Sequence, residues 1–214
     1  MGTFAYFWAP DEGVDVEDIR ALVPYVVESA PGTDPNEVRR ALAAAVHRFL
    51  ADTGCWRKEG VPAVAGTGEV RVGSGGCSRI LAVESITRVA DEVVVYDAVS
   101  QYTMPTSRLV RDDGSGMYVL TEPNAAEGDE YTANLVLSVR LGSELCPRWV
   151  IERWGEAIAS RATHELVTKG QLAPSSHLAL YREAVQSIIA RRAMGGSARS
   201  SGPGSALSNS VERI

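Results

Sequence analysis

Three histidines and three cysteines in a chain of 214 residues are the first places to look for chemistry. His164-Glu165 opens like the helical zinc-protease motif, in which two histidines four residues apart share one helix face and bind the metal. Position 168 is Thr168, so the second ligand is missing. Cys55 with His47, or Cys146 with His164, would pair a thiol with a base. Both cysteines flank predicted helix ends, and a helix N-terminus lowers a thiol pKa. Neither pair has a third, orienting group at a recognisable spacing. His47 falls close to the apolar stripe of its helix and reads as packed, and His177 reads as a capping or solvated residue near a helix start. Gly66-Thr67-Gly68 and Gly73-Ser74-Gly75-Gly76 are glycine-rich, but neither leads into Lys-Ser/Thr or into the helix whose N–H groups a phosphate loop needs. Asp112-Asp113 and Asp129-Glu130 sit in glycine-containing loops as solvated turns. No enzyme signature results, and no catalytic residue, cofactor or metal ligand is expected.

Composition narrows the class further. Cys55, Cys77 and Cys146 are odd in number and form no C-x-x-C pair, which speaks for free thiols in a reducing compartment. Net charge is −6, a poor match to general nucleic-acid binding but suited to a surface that DNA must pass without sticking. No apolar run approaches the ~20 residues that span a bilayer. Phe4, Tyr6, Phe7 and Trp8 lie in a segment without a basic n-region. A cytosolic product with no membrane partner is expected.

The elements that would carry these residues are mostly amphipathic helices. Ile151, Trp154, Ile158, Ala162 and Leu166 recur at steps of three and four, with Glu152, Arg153, Glu156, Ser160 and Thr163 between them. Pro147 suits the first helical position and Gly170 a left-handed cap. Leu178, Tyr181, Val185 and Ile188 make a second stripe, which Gly195-Gly196 is expected to end; the short link predicts an antiparallel hairpin. Earlier in the chain, Asp15 to Asp18 reads as a cap and acidic first turn of a short helix. Asp34-Pro35-Asn36-Glu37 opens a longer one bearing Val38, Ala41, Leu42, Ala45, Val46, Phe49 and Leu50, closed by Gly54.

Between them the character changes to β-branched residues and glycine. Val70–Val72, Ile80–Val89 with Glu92–Val99, Met117–Thr121 and Tyr131–Leu141 read as strands. In the last, Leu135, Leu137, Val139 and Leu141 alternate with Val136, Ser138 and Arg140, the pattern of a sheet with one buried face. The expectation is an α+β chain: a helical bundle of two N-terminal helices plus a C-terminal helical hairpin (14–56 with 146–194), interrupted by an inserted antiparallel β domain (57–145). An extended arm (1–13) precedes it and a flexible C-terminal tail (195–214) follows. Candidate core residues are Leu42, Val46, Phe49, Ile151, Trp154, Ile158, Leu166, Tyr181, Val185 and Ile188.

Three runs in this order carry a resemblance: Leu22-Val23-Pro24-Tyr25-Val26 to Ala30-Pro31-Gly32; Ala41 to Arg57; and Pro147 with Ile151-Glu152-Arg153-Trp154-Gly155-Glu156-Ala157-Ile158-Ala159 and its hairpin partner after Pro174. Together the chain resembles the head-to-tail adaptor proteins of short-tailed double-stranded DNA phages, also called tail tubular protein A or gatekeeper-like connectors. The resemblance covers about residues 16–193 and rests on structural motifs. It implies a virion protein made in the host cytoplasm, with no catalytic residue. It also implies a homo-oligomeric ring, twelve copies to match the portal, which docks below the portal protein, carries a tail nozzle or other tail proteins and leaves an axial channel for DNA. In that setting Arg191, Arg192 and Arg199 are candidates to pair with portal carboxylates, and Val211 and Ile214 to serve as small apolar anchors of a tail that orders on binding. A neck or head-completion protein of a long-tailed phage is the alternative, and a thiol-dependent hydrolase a distant one.

Overall fold

The computed structural model describes residues 14–73, 78–98, 108–112, 117–168 and 176–197. A short strand β1 (Val16–Asp18) leads through a 3-10 turn (Ile19–Leu22) into helices α1 (Val23–Ser29) and α2 (Pro35–Thr53). Strands β2 (Arg57–Gly66), β3 (Glu69–Val72), β4 (Ser78–Arg88), β5 (Val93–Asp97), β6 (Arg108–Asp112), β7 (Met117–Thr121) and β8 (Glu130–Val139) follow. The chain closes with β9 (Leu145–Pro147) and helices α3 (Arg148–Val167) and α4 (Ser176–Ser197).

Local chemistry explains the helix boundaries. Asp34 Oδ1 accepts the N–H of Asn36 at 2.8 Å, and Pro35 occupies the first turn of α2, where its missing donor costs nothing. Gly54 ends α2 with φ +53°, and its N–H donates to the Leu50 carbonyl. Pro147 lies one residue earlier than expected, at the cap of α3. The N-terminal segment differs more. Asp15 to Asp18 forms no helical turn; β1 pairs antiparallel with β9, Val16 opposite Pro147, and Asp18 caps the 3-10 turn instead. This clamp joins the start of the described chain to the start of α3. At the other end, α4 runs through Gly195 and Gly196 to Ser197 rather than stopping there.

The expected helical bundle interrupted by an inserted β lobe is not what forms. The fold is α+β, with four α-helices among the described residues and a large, nearly closed antiparallel sheet of seven strands in the order β5-β4-β8-β2-β3-β7-β6. Curling of the sheet brings Tyr118 on β7 within 3.3 Å of the Leu81 carbonyl on β4, across the three intervening strands β8, β2 and β3, where its hydroxyl donates. The physical reason for the difference lies in β8. Leu135, Val136, Leu137, Ser138 and Val139 are all buried, so both faces of this stretch are covered and the expected one-sided burial fails. Ser138 and Val136 face α2: Ser138 Oγ lies 3.0 Å from His47 Nδ1, and a β-carbon on Gly54 would sit 3.4 Å from Val136. Leu135, Leu137 and Val139 therefore point the other way, inside the curved sheet. The helices form a layer over the sheet, and the buried residues of both join in one continuous cluster.

Strand β2 shows why part of the sheet was hard to read. Gly60 and Pro62 look like breakers in Arg57–Gly66, yet β2 lies inside the sheet, between β8 and β3. The register shifts between Lys58 and Val61, and Gly60 takes φ +67° while its N–H donates to Asn134 Oδ1 at 3.0 Å. Pro62 precedes the ladder with β3, which begins at Val64. Val61 and Ala63 still alternate inward. The expected arm (1–13), the glycines 74–76, the cap at Gly170 and the tail beyond Ser197 lie outside the described residues.

Candidate functional site

The helical layer is organised on Phe49. Its ring lies 6.0 Å from Trp154 of α3 at 42° and 6.1 Å from Tyr181 of α4 at 69°, tilted and edge-on arrangements that suit the aromatic quadrupole. Leu42, Val46, Phe49, Ile151, Ile158, Tyr181, Val185 and Ile188 are buried, and Trp154 and Leu166 pack half-buried against them. Arg153 stacks its guanidinium 5.6 Å from the Trp154 ring, and Arg161 does the same over Tyr181 at 5.5 Å.

Beside this cluster, at the C-terminal end of α2, is an open groove of about 310 Å³. It is lined by Cys55, Trp149, Arg153, Trp154, Ile188, Arg191 and Arg192. Three arginines and two tryptophans meet there, with no carboxylate among the described lining residues. Trp149 is 39 % exposed, although a ring of that size would normally be covered. Arg192 is held in place: its Nη1 donates to the Thr53 carbonyl at 2.6 Å, satisfying an acceptor at the end of α2. The arrangement suits an extended acidic and aromatic segment. Arginine planes stack on rings and bind carboxylates, and Trp149 offers a flat apolar wall.

Of the candidate portal-binding residues, Arg191 and Arg192 both line this groove. Arg199, Val211 and Ile214 lie outside the described residues. Trp149 and Arg153 had not been singled out as contact residues. The signal available for them was an aromatic off the helical stripe, next to Arg148 and four residues before a second arginine.

The cysteine and histidine pairings come apart. His47 Nδ1 lies against Ser138 Oγ and, at 3.3 Å, the Val139 carbonyl, which turns it toward the sheet. Burial pushes the Cys55 thiol up, against the smaller opposing influences of Thr53 and Arg192, so little thiolate is present at neutral pH. Cys146 is fully buried on β9. His177 and Ser160 do meet, but the Ser160 hydroxyl donates to the His177 carbonyl at 2.9 Å and ties the start of α4 to α3. Among the described residues no cluster of three His, Cys, Asp or Glu side chains could hold a metal ion, and no helix is long and apolar enough to cross a membrane. Set beside known proteins, the chain matches no family model and no curated sequence.

Proposed function

We propose that the protein is a ring-forming structural adaptor at the head-to-tail junction of a short-tailed double-stranded DNA phage. Copies of the chain, twelve to match the portal, dock below the portal protein, carry the next tail component and leave an axial channel for the genome. The observation that carries the reading is the convergence of α2, α3 and α4 on Phe49, because these helices contain most of the sequence on which the resemblance rests. These helices share one continuous core with the sheet rather than forming a bundle of their own, so the reading rests on the helices alone.

Two surface features support assembly. The outermost strands of the sheet, β5 and β6, leave Val93, Val94 and Val110 exposed, and apolar side chains exposed on an outer strand are a natural place for a neighbouring copy. The outward positions of α3 and α4, among them Glu152, Arg153, Glu156, Arg182 and Glu183, are exposed and of mixed charge, as a polar-rimmed contact between copies would need. The test is electron microscopy and gradient sedimentation of the purified full chain, alone and with the portal ring encoded in the same genome. Annular density stacked on the portal is the expected result. A portal that sediments and images without the added chain overturns the reading.

A further inference from the structure

We infer that the groove between Trp149 and Arg191–Arg192 is the docking site of this chain's own N-terminal segment, residues 1–13. The inference stands apart from the ring reading and concerns the single subunit.

Two independent observations lead to it. The first is where the segment joins the described chain. The Arg148 N–H donates to the Asp15 carbonyl at 2.9 Å, and the Arg148 guanidinium lies 3.1 Å from Asp15 Oδ2. With Val16 opposite Pro147 in an antiparallel pair, the direction of β1 traced back from Asp15 passes the first turn of α3. The next residue of that turn is Trp149, the wall of the groove. Thirteen residues extend up to roughly 45 Å, enough to run along a groove whose wall, Trp149, follows Arg148 in sequence.

The second observation is chemical fit. The segment holds Phe4, Tyr6, Phe7 and Trp8, then Asp11 and Glu12. The groove presents Arg153, Arg191 and Arg192 beside Trp149 and Trp154. Rings can stack on the guanidinium planes and on Trp149, while the two carboxylates meet arginines in charge-assisted hydrogen bonds. Tethering makes the contact intramolecular, so modest individual contacts suffice. The opposite end of the molecule lacks this complementarity: the groove between α2 and the β8–β9 turn contains Arg39 and Arg40 but also Glu144, which already pairs with Arg20 and Arg39.

Cys55 lines the groove and is half-buried, so it reports whether the groove is covered. The experiment uses the full chain with Cys77→Ala and follows modification of Cys55 by a neutral maleimide, alongside a variant carrying Phe7→Ser, Trp8→Ser, Asp11→Asn and Glu12→Gln. Docking predicts labelling about tenfold faster in the variant, since an open minor state near 10 % would be the species that reacts. Trp149→Ala alone should speed labelling similarly, and combining it with the four substitutions should add nothing. Equal rates in parent and variant overturn the inference. So do additive effects of the two sets. A parental rate that falls as protein concentration rises also overturns it, because the covering segment would then come from another copy.

Discussion

The Tyr181 hydroxyl on α4 donates to Asp52 Oδ2 on α2 at 2.8 Å, crossing 129 residues of sequence at the edge of the aromatic cluster. Burial, and then the hydrogen bond to Asp52, raise the Tyr181 pKa well above the ordinary phenol value. A group whose folded pKa is raised favours the folded state while protonated, and that contribution is lost as pH climbs past the unfolded value near 10. Tyr181→Phe should therefore cost about 1–2 kcal/mol at pH 7. It should also remove much of the stability loss of the parent between about pH 10 and 11. Urea melts of both proteins at neutral and alkaline pH check this. A parent and variant that weaken in parallel above pH 10 would show that Tyr181 is not the titrating group.

A second prediction concerns the end of α2. A β-carbon on Gly54 would lie 2.8 Å from Arg192 Nη1, and the residue already holds a left-handed backbone conformation. Gly54→Ala should destabilise by about 1–2 kcal/mol from backbone strain alone, with a further loss if Arg192 leaves the Thr53 carbonyl. Arg192→Ala should cost less, about 1 kcal/mol, because water can reach part of the vacated site. If Arg192→Ala already removes most of the effect of Gly54→Ala in the double variant, the clash dominates. Thermal melts of the three variants separate the terms.

The aromatic cluster was legible in the sequence because Phe49, Trp154 and Tyr181 each fall on a clear three-to-four stripe, and a stripe demands a partner. What the stripes could not convey was the identity of the second layer. Ala43 lies on α2 outside that stripe and is buried as well, so the helix has more than one covered side. Val136 and Ser138 looked like the wet face of a strand, since serine is polar and valine alone is ambiguous; Ser138 meets His47 from 91 residues away in sequence, and Val136 meets Gly54 across a similar span. β2 was hidden by Gly60 and Pro62, whose roles depend on a bulge and on a neighbouring strand that starts late. The groove was legible only in pieces, because Arg191, Arg192, Trp149 and Cys55 come from three separate stretches.

Ile158 tests the shared core from the α3 side. It is fully buried, and an aspartate there would put an unpaired charge among apolar groups. Ile158→Asp should lower stability by more than about 4 kcal/mol, a large share of the roughly 5–15 kcal/mol of an ordinary domain. Because helices and sheet share one core, the loss should appear together in near-ultraviolet and far-ultraviolet circular dichroism. A variant that keeps its sheet signal while losing only helix would show two independently folding parts.

The seam between helix and sheet offers the most direct check of the architecture. Ser138 is fully buried on β8, with its hydroxyl 3.0 Å from His47 Nδ1 on α2. Removing either side alone leaves a polar group partly unmatched at the seam, at a cost of about 1–3 kcal/mol. Removing both removes that mismatch. The combination Ser138→Ala with His47→Leu should therefore cost less than the sum of the singles, with a coupling of about 0.5–1.5 kcal/mol. A helical unit packed on itself, with the strands held apart as a separate lobe, has no such contact and gives additive effects. Measuring all four proteins in one urea series distinguishes the two arrangements, and additivity within error would mean that α2 does not rest on β8 at this point.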